Sequence, residues 1–422
     1  MWAVNLNNVP TNTNNNIGFR GAQYPQRHRR LRLRLRRRRL MVQDPDPAAT
    51  SAKNPAREGE PVGEDRRPLR LILLLPGVDT TKTYTNLYPT VCSPTNLFSA
   101  YTQCRRGKGD KSYVTEFEKH LQENLDTLAE ALQSRTWTPK GYSRFYVNDP
   151  KRRLINAPAF EDRIVHRALY DVIMPPFERG FYPHSYACRR GKGAHAGVAC
   201  LRRYLRQYST PPYYLQIDIK SYFASIHHDT LMAIIRRKIA DSDVLALIRK
   251  ILDSYHDSPG TGIPLGNLTS QLFANIYLNE LDHYVKHVLR CRHYIRYMDD
   301  IILLSETKAQ LWEWKAAIES FVTRLRLRLH PRKQVVAPAR CGIDFLGYVI
   351  YPDHVRVRNR NIHRVYTRMK QIEAGTYPRD PRGSIMSWMG YSIHADAHGL
   401  NQSIQRKHPF LVLGTEKFYG RC

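Results

Sequence analysis

The feature that most constrains this chain is Tyr297-Met298-Asp299-Asp300, set between two apolar runs. His293-Tyr294-Ile295-Arg296 leads in and Ile301-Ile302-Leu303-Leu304 leads out. Two β-prone segments meeting at a pair of acids read as a hairpin whose turn lifts both carboxylates. Adjacent carboxylates repel, so the turn is unfavourable unless a cation neutralises it. Mg²⁺, a hard ion that takes oxygen ligands and phosphates together, suits that task. An isolated Asp pair is more often a solvated turn, but here a second strand carries a second acid. Tyr213-Tyr214-Leu215-Gln216-Ile217-Asp218-Ile219 reads as a buried strand. Inside such an apolar run an unpaired Asp218 would be costly. The alternative is an edge strand with Asp218 facing water. Taken jointly, the strands offer three carboxylates for two metal ions, the layout of phosphoryl transfer.

Asp218 with Phe223 five positions later, followed by the Tyr-Met-Asp-Asp box, resembles motifs A and C of reverse transcriptases. Between them, Gly262-Ile263-Pro264-Leu265-Gly266-Asn267-Leu268-Thr269-Ser270-Gln271 has the position and character of motif B. Most of that superfamily reads Gln-Gly-x-x-x-Ser-Pro there. Leu265 replaces the Gln and Gln271 the Pro, a departure that resembles the enzymes of diversity-generating retroelements, relatives of the group II intron and retron types. The resemblance covers about residues 84–400.

The resemblance implies an α+β right-hand polymerase fold. Residues 81–212 would form fingers, 213–350 a palm whose antiparallel sheet carries the catalytic hairpin, and 351–422 a short helical thumb and tail. It implies Asp218, Asp299 and Asp300 as catalytic metal ligands for two Mg²⁺ ions, with Mn²⁺ as an alternative. Phe223 would be a steric gate against the ribose 2′-hydroxyl, or else a core Phe beside Tyr222. Lys151 and Arg153 would hold the incoming triphosphate, since bidentate Arg contacts suit phosphate; a solvated basic turn is the other reading. Leu265 and Gln271 would border the nascent base pair. Lys333 resembles a motif D lysine that protonates pyrophosphate, with a plain phosphate contact as the alternative. Phe345-Leu346-Gly347 resembles the primer-grip turn, where glycine lets backbone approach closely.

The implied partners are template RNA, primer and cDNA, deoxynucleotides, and a small helical accessory protein that is a pentamer in the family. The implied output is cDNA from a template-repeat RNA, miscopied at adenines for targeted protein diversification. A defence-associated or retron-like reverse transcriptase, or an inactive RNA-binding palm, are the alternatives; no Val-Thr-Gly retron signature is present, and all three acids are.

A formal charge of +29 and a pI near 10.0 imply a polyanionic partner. No apolar run approaches a membrane span, so no membrane association is expected. Seven Cys without a Cys-x-x-Cys pair give neither a zinc site nor a dense disulfide frame, and read as reduced thiols of a cytoplasmic protein.

Residues 1–80 differ from the rest. Residues 27–39 are mostly Arg alternating with Leu, and 44–67 are rich in Pro, Glu and Asp, so the extension reads as disordered. The arginine run would grip RNA, precede the native start at Met41 or later, or be an organellar presequence. Asn5 to Asn16 with the closing Gly18-Phe19-Arg20 reads as a template repeat translated in frame, or as an Asn-rich tail. From Tyr84 the spacing becomes regular. It predicts helices over 96–107, 114–134, 163–173 ended by Pro175-Pro176, 194–208, 230–255 and 269–289. A hairpin is expected over 144–156. Cys188-Arg189-Arg190-Gly191-Lys192-Gly193 is a basic turn resembling the fingers loop along the template, and the same six residues recur at 104–109. Neither is a P-loop.

Overall fold

The structure, a computed structural model, describes residues 82–148, 152–378 and 380–409. The extension of residues 1–80 and Lys151 lie outside the described residues. Strands β1 (Tyr142–Val147) and β2 (Arg153–Pro158) pair antiparallel as a hairpin. The central sheet contains β3 (Tyr213–Ile219), β4 (His293–Tyr297), β5 (Asp300–Ser305) and β6 (Leu329–Pro338). Its order is β4-β5-β3-β6, and every neighbouring pair is antiparallel. A separate antiparallel sheet follows, of β7 (Ile343–Phe345), β8 (Tyr348–Ile350) and β9 (Val355–Val357).

The two-residue period of a strand sorts the central sheet into two apolar faces. Leu215, Ile217, Ile301 and Leu303 pack into one core together with Leu272 and Phe273 of helix Leu268–His283 and Phe321 of helix Lys308–Arg324. Tyr214, Ile302 and Leu304 pack into a second, against helix Ala194–Leu205 and the β7–β8 hairpin. Strand β5 is therefore buried at every position. At about 1.5–3 kcal/mol for each large aliphatic side chain buried, this double cover makes the central strands a rigid platform. A third, smaller core joins helices Asn359–Glu373, Pro381–Ser392 and His398–Lys407 through Val365, Met369, Trp388 and Ile404. Among the described residues no helix is long and apolar enough to cross a membrane.

Three helical segments differ from the spacing-based expectation. The run 114–134 is two helices, Ser112–Lys119 and Leu121–Gln133, broken at His120. There the Asn124 amide donates to the Phe117 carbonyl at 3.0 Å, which diverts that carbonyl from the helical ladder. The run 230–255 is also two helices, His228–Arg236 and Ser242–Asp253. Asp241 caps the second by accepting from the amides of Asp243 and Val244 at 3.1 and 3.0 Å. Its other oxygen accepts from Leu87 and Tyr88 at 2.6 and 3.0 Å, so one carboxylate ties two helix starts together. Pro175 and Pro176 do not end their helix, which runs from Phe160 to Glu178. Buried Pro176 and Phe177 and the Arg189–Glu178 ion pair hold the last turn in place of the lost ladder bonds.

Candidate active site

The hairpin turn between Tyr297 and Asp300 consists of Met298 and Asp299. Met298 has φ 55°, a left-handed conformation that costs a non-glycine residue about 1–2 kcal/mol. Arg296 supports it from below. This fully buried guanidinium donates to the Met298 carbonyl at 3.1 Å and to Asn275 Oδ1 at 3.3 Å. Its Nε and a terminal nitrogen reach both oxygens of Asp282 at 2.7 and 2.6 Å. Tyr294 donates its hydroxyl to the same Asp282 at 2.7 Å. The Arg296 backbone also pairs with His184 and Tyr186, so β4 is held along its outer edge.

Register then assembles the acids. Asp218 stands directly opposite Asp300 across β3 and β5, on the face shared by Gln216. Gln216 Nε2 donates to Asp300 Oδ1 at 3.1 Å and to the Asp344 carbonyl at 3.0 Å, tying the acid to the β7–β8 hairpin. On the other side of β3 the pairing with β6 shifts register between Ile217 and Ile219. At that irregularity Lys333 places its Nζ 2.7 Å from Asp218 Oδ2.

Burial raises the Asp299 carboxyl to about 6, with the Asp218 charge adding to it and Lys333 and Arg153 opposing it. Burial likewise raises Asp300 to about 7, reinforced by Asp299 and Asp218 and opposed by the Gln216 hydrogen bond. Like charges packed on one strand end make each ionisation harder. Among the described residues no three Asp, Glu, His or Cys side chains form a ready-made metal cage. The donor set nevertheless fits a hard divalent cation: carboxylate oxygens only, with Asp218 opposite Asp300 in register and Asp299 on the adjoining turn.

The other residues singled out by sequence reach this centre by different routes. Arg153 on β2 acts electrostatically on Asp299. Phe223 is half-buried, edge-on to Tyr222 at 5.9 Å, and its carbonyl accepts from the Ile263 amide at 2.9 Å. The Leu265 carbonyl accepts from the Asn156 amide of β2 at 3.0 Å. Gly266 follows with φ 113°, where an added Cβ would lie 3.0 Å from Ile155 Cγ2, so backbone shape and space both select glycine. Gln271 is half-buried in the first turn of helix Leu268–His283. Phe345 and Leu346 have buried side chains, so their turn presents backbone. Leu346 and Gly347 have φ 53° and 94°, and the Gly347 carbonyl accepts from Arg358 N, Asn361 Nδ2 and Tyr391 OH at 3.1, 3.3 and 2.5 Å. Sequence reading missed Gln216, Asn275, Asp282 and Arg296. Gln216 was findable, two residues before Asp218 and hence on its face. An arginine within the apolar β4 demanded an acid, but nothing in the sequence pointed to Asp282 as that acid.

Residues 147–350 match the family described as reverse transcriptase (RNA-dependent DNA polymerase). Protein YkfC of Escherichia coli K12 is 28% identical over 292 residues, covering 58% of this chain and 75% of that protein. The group II intron-encoded protein LtrA of Lactococcus lactis is 28% identical over 215 residues, covering 48% of this chain and 35% of LtrA, so the chain spans about a third of it. A solved telomerase structure from Candida albicans, in complex with a telomeric RNA fragment, aligns at TM-score 0.39 and 14% identity over 52% of this chain and 45% of that one.

The raised carboxyls set a pH dependence. An acid whose folded pKa lies above its unfolded value binds more protons when folded, so its contribution to stability falls as pH rises through that interval. For Asp299 and Asp300 the interval runs from the ordinary value of 3.8 up to about 6 and about 7. In chelator, Asp300→Asn should therefore gain stability over the parent at pH 8 and little at pH 4, as measured by urea unfolding. An equal effect at both values would show that Asp300 is not held protonated by burial.

Proposed function

We propose, for a chain that carries a reverse transcriptase domain and is an RNA-directed DNA polymerase, that its Asp218, Asp299 and Asp300 form the nucleotidyl-transfer centre. We further propose that its output is mutagenic cDNA copied from a template-repeat RNA. The observation that carries the first part is the opposition of Asp218 and Asp300 in register, with Asp299 on the adjoining turn and Lys333 and Arg153 acting on the same cluster. In this reading residues 81–212 are fingers, 213–350 palm and 351–422 thumb.

Asp218, Asp299 and Asp300 would hold Mg²⁺, which would supply Lewis-acid chemistry to a primer 3′-hydroxyl and to the pyrophosphate leaving group. The protein's own groups do the rest. Asp218 and Asp299 are the principal ligands, and Asp300, steadied by Gln216, completes the set. Arg153, with Lys151 on the same hairpin, holds the triphosphate in line. Phe223 crowds the sugar so that a 2′-hydroxyl does not fit. Lys333, already at the acids through Asp218, donates a proton to pyrophosphate. The Phe345-Leu346-Gly347 turn offers backbone to the primer end. Template RNA and primer lie against the cationic surface, and a small helical accessory protein is the expected protein partner.

Leu265 and Gln271 support the mutagenic part. Leu265 has no side-chain donor or acceptor to orient a nucleotide, while its backbone is fixed to β2 through Asn156. Losing one oriented polar contact costs about 1–3 kcal/mol of discrimination. The adenine bias is carried by the resemblance alone. An intron-type reverse transcriptase of ordinary accuracy is the second reading, favoured by the similarity to LtrA.

Two measurements separate these parts. Asp299→Ala or Asp218→Asn should lower Mg²⁺-dependent DNA synthesis on an RNA template by at least about a thousandfold, because metal positioning supplies most of the rate. Robust synthesis by Asp299→Ala would overturn the site. Sequencing cDNA made on a defined RNA should show frequent errors for the parent, concentrated at template adenines, and fewer for Leu265→Gln. Uniformly accurate copying by the parent would leave the intron-type reading.

A further inference from the structure

We propose that His228 is a positioning residue for sugar discrimination: its ring holds the Gly262–Ile263 peptide unit to which the Phe223 carbonyl is bonded, and so fixes the gate. That role rests on the polymerase reading, in which Phe223 meets the sugar of the incoming nucleotide.

His227 and His228 are adjacent in sequence but do different things. His227 is half-buried, caps helix His228–Arg236 and accepts from Arg326 at 2.7 Å. His228 is 1% exposed, and its Nε2 lies 2.7 Å from the Gly262 carbonyl oxygen. A carbonyl only accepts, so this nitrogen carries a proton and donates it. The other ring nitrogen, Nδ1, faces Asp253 Oδ1 at 3.9 Å, beyond hydrogen-bond distance. Arg249 holds Asp253 at 2.9 Å and Asp229 at 2.6 Å, which ties helix Ser242–Asp253 to the helix that His228 begins.

Backbone bonds carry this contact to the gate. The His228 amide donates to the Gly260 carbonyl, the Gly262 amide to Ile226 and the Ile263 amide to Phe223, each at 2.9 Å. Residues 223–228 and 260–263 thus run side by side, bridged antiparallel at His227 and Thr261. The peptide unit between Gly262 and Ile263 is gripped from both sides, its C=O by the His228 ring and its N–H by the Phe223 carbonyl. A unit that follows glycine turns over readily, because glycine accepts both signs of φ. Gly262 has φ 97°, and an added Cβ would lie 2.8 Å from the Asp257 amide nitrogen, so no other residue fits there. Turned over, the unit would point its N–H away from Phe223 and break both bonds. His228 opposes that rotation, since buried Gly262 would lose the partner of its carbonyl. On its other flank Phe223 meets the edge of Tyr222, whose hydroxyl donates to the Ala274 carbonyl at 2.5 Å. With that ring fixed, the bond to Ile263 governs where the half-buried Phe223 stands.

The test is single-nucleotide extension of a primer on RNA by the full chain, comparing kcat/KM for a deoxynucleotide and the matching ribonucleotide. His228→Phe keeps a ring and removes the donor, whereas His228→Gln keeps an N–H donor. His228→Phe should lower the preference for the deoxynucleotide by at least about tenfold, chiefly through a lower KM for the ribonucleotide, while His228→Gln stays within about threefold of the parent. A role in stability alone would slow both nucleotides together and leave their ratio unchanged. Phe223→Ala should relax the preference too, and adding His228→Phe to it should change nothing more, because the one residue acts through the other. Hydrogen exchange at the Ile263 amide, read without catalysis, should quicken in His228→Phe and not in His228→Gln. Urea unfolding checks each variant; if His228→Phe does not fold, His228→Asn, whose amide is too short to reach Gly262, takes its place. An unchanged ratio or a still-protected Ile263 amide in the donor-less variant, an equal loss in His228→Gln, or effects that add would each overturn the role of His228 and leave the gate standing. An unchanged ratio in a folded Phe223→Ala would instead remove the gate, and the role of His228 with it.

Discussion

The candidate site depends on a buried charge. Arg296 enters the interior on a central strand, and the fold tolerates it because Asp282 meets it with both oxygens while Asn275 and the Met298 carbonyl take remaining donors. Removing one partner of such a pair costs about 3–5 kcal/mol, whereas replacing both with apolar residues is often neutral. The pair is therefore a poor source of net stability. What it does supply is position: it links helix Leu268–His283, strand β4 and the left-handed turn at Met298 into one body.

The acids stand on that body in tension. Strand register brings Asp218 opposite Asp300, and directly opposed like charges destabilise a sheet. Raised carboxyls on Asp299 and Asp300, the Lys333 contact to Asp218 and the Gln216 bond to Asp300 all ease the same repulsion. A divalent cation would ease it more completely, so the strain reads as readiness for a ligand the fold does not itself provide.

Much of this was legible in the sequence because it is local. The apolar runs around Asp299-Asp300 and Asp218 marked the strands, and the three acids fell where a hairpin and a strand end place them. The break at His120 was hidden because the apolar stripe from Phe117 to Leu132 continues through it; the cause is a side chain, Asn124, competing for one carbonyl. The continuation through Pro175-Pro176 was hidden because tertiary packing of Phe177 and an ion pair outweigh a local preference. Asp282 was illegible because it lies one helix away from Arg296. The roles of Lys333, Phe223 and Leu265 came from resemblance, and their surroundings now give each a physical context.

The most direct test of this account replaces both buried partners, as Arg296→Met/Asp282→Leu, and measures folding stability and DNA synthesis on the same preparation. The double variant should fold, with a stability that matches or exceeds the parent's, as for other apolar replacements of buried pairs. Its synthesis should fall by about a hundredfold or more, since a displacement of about 1 Å at a reacting centre costs that much. A folded double variant that synthesises DNA at the parent's rate would contradict it, and the turn would then hold its acids without the buried pair.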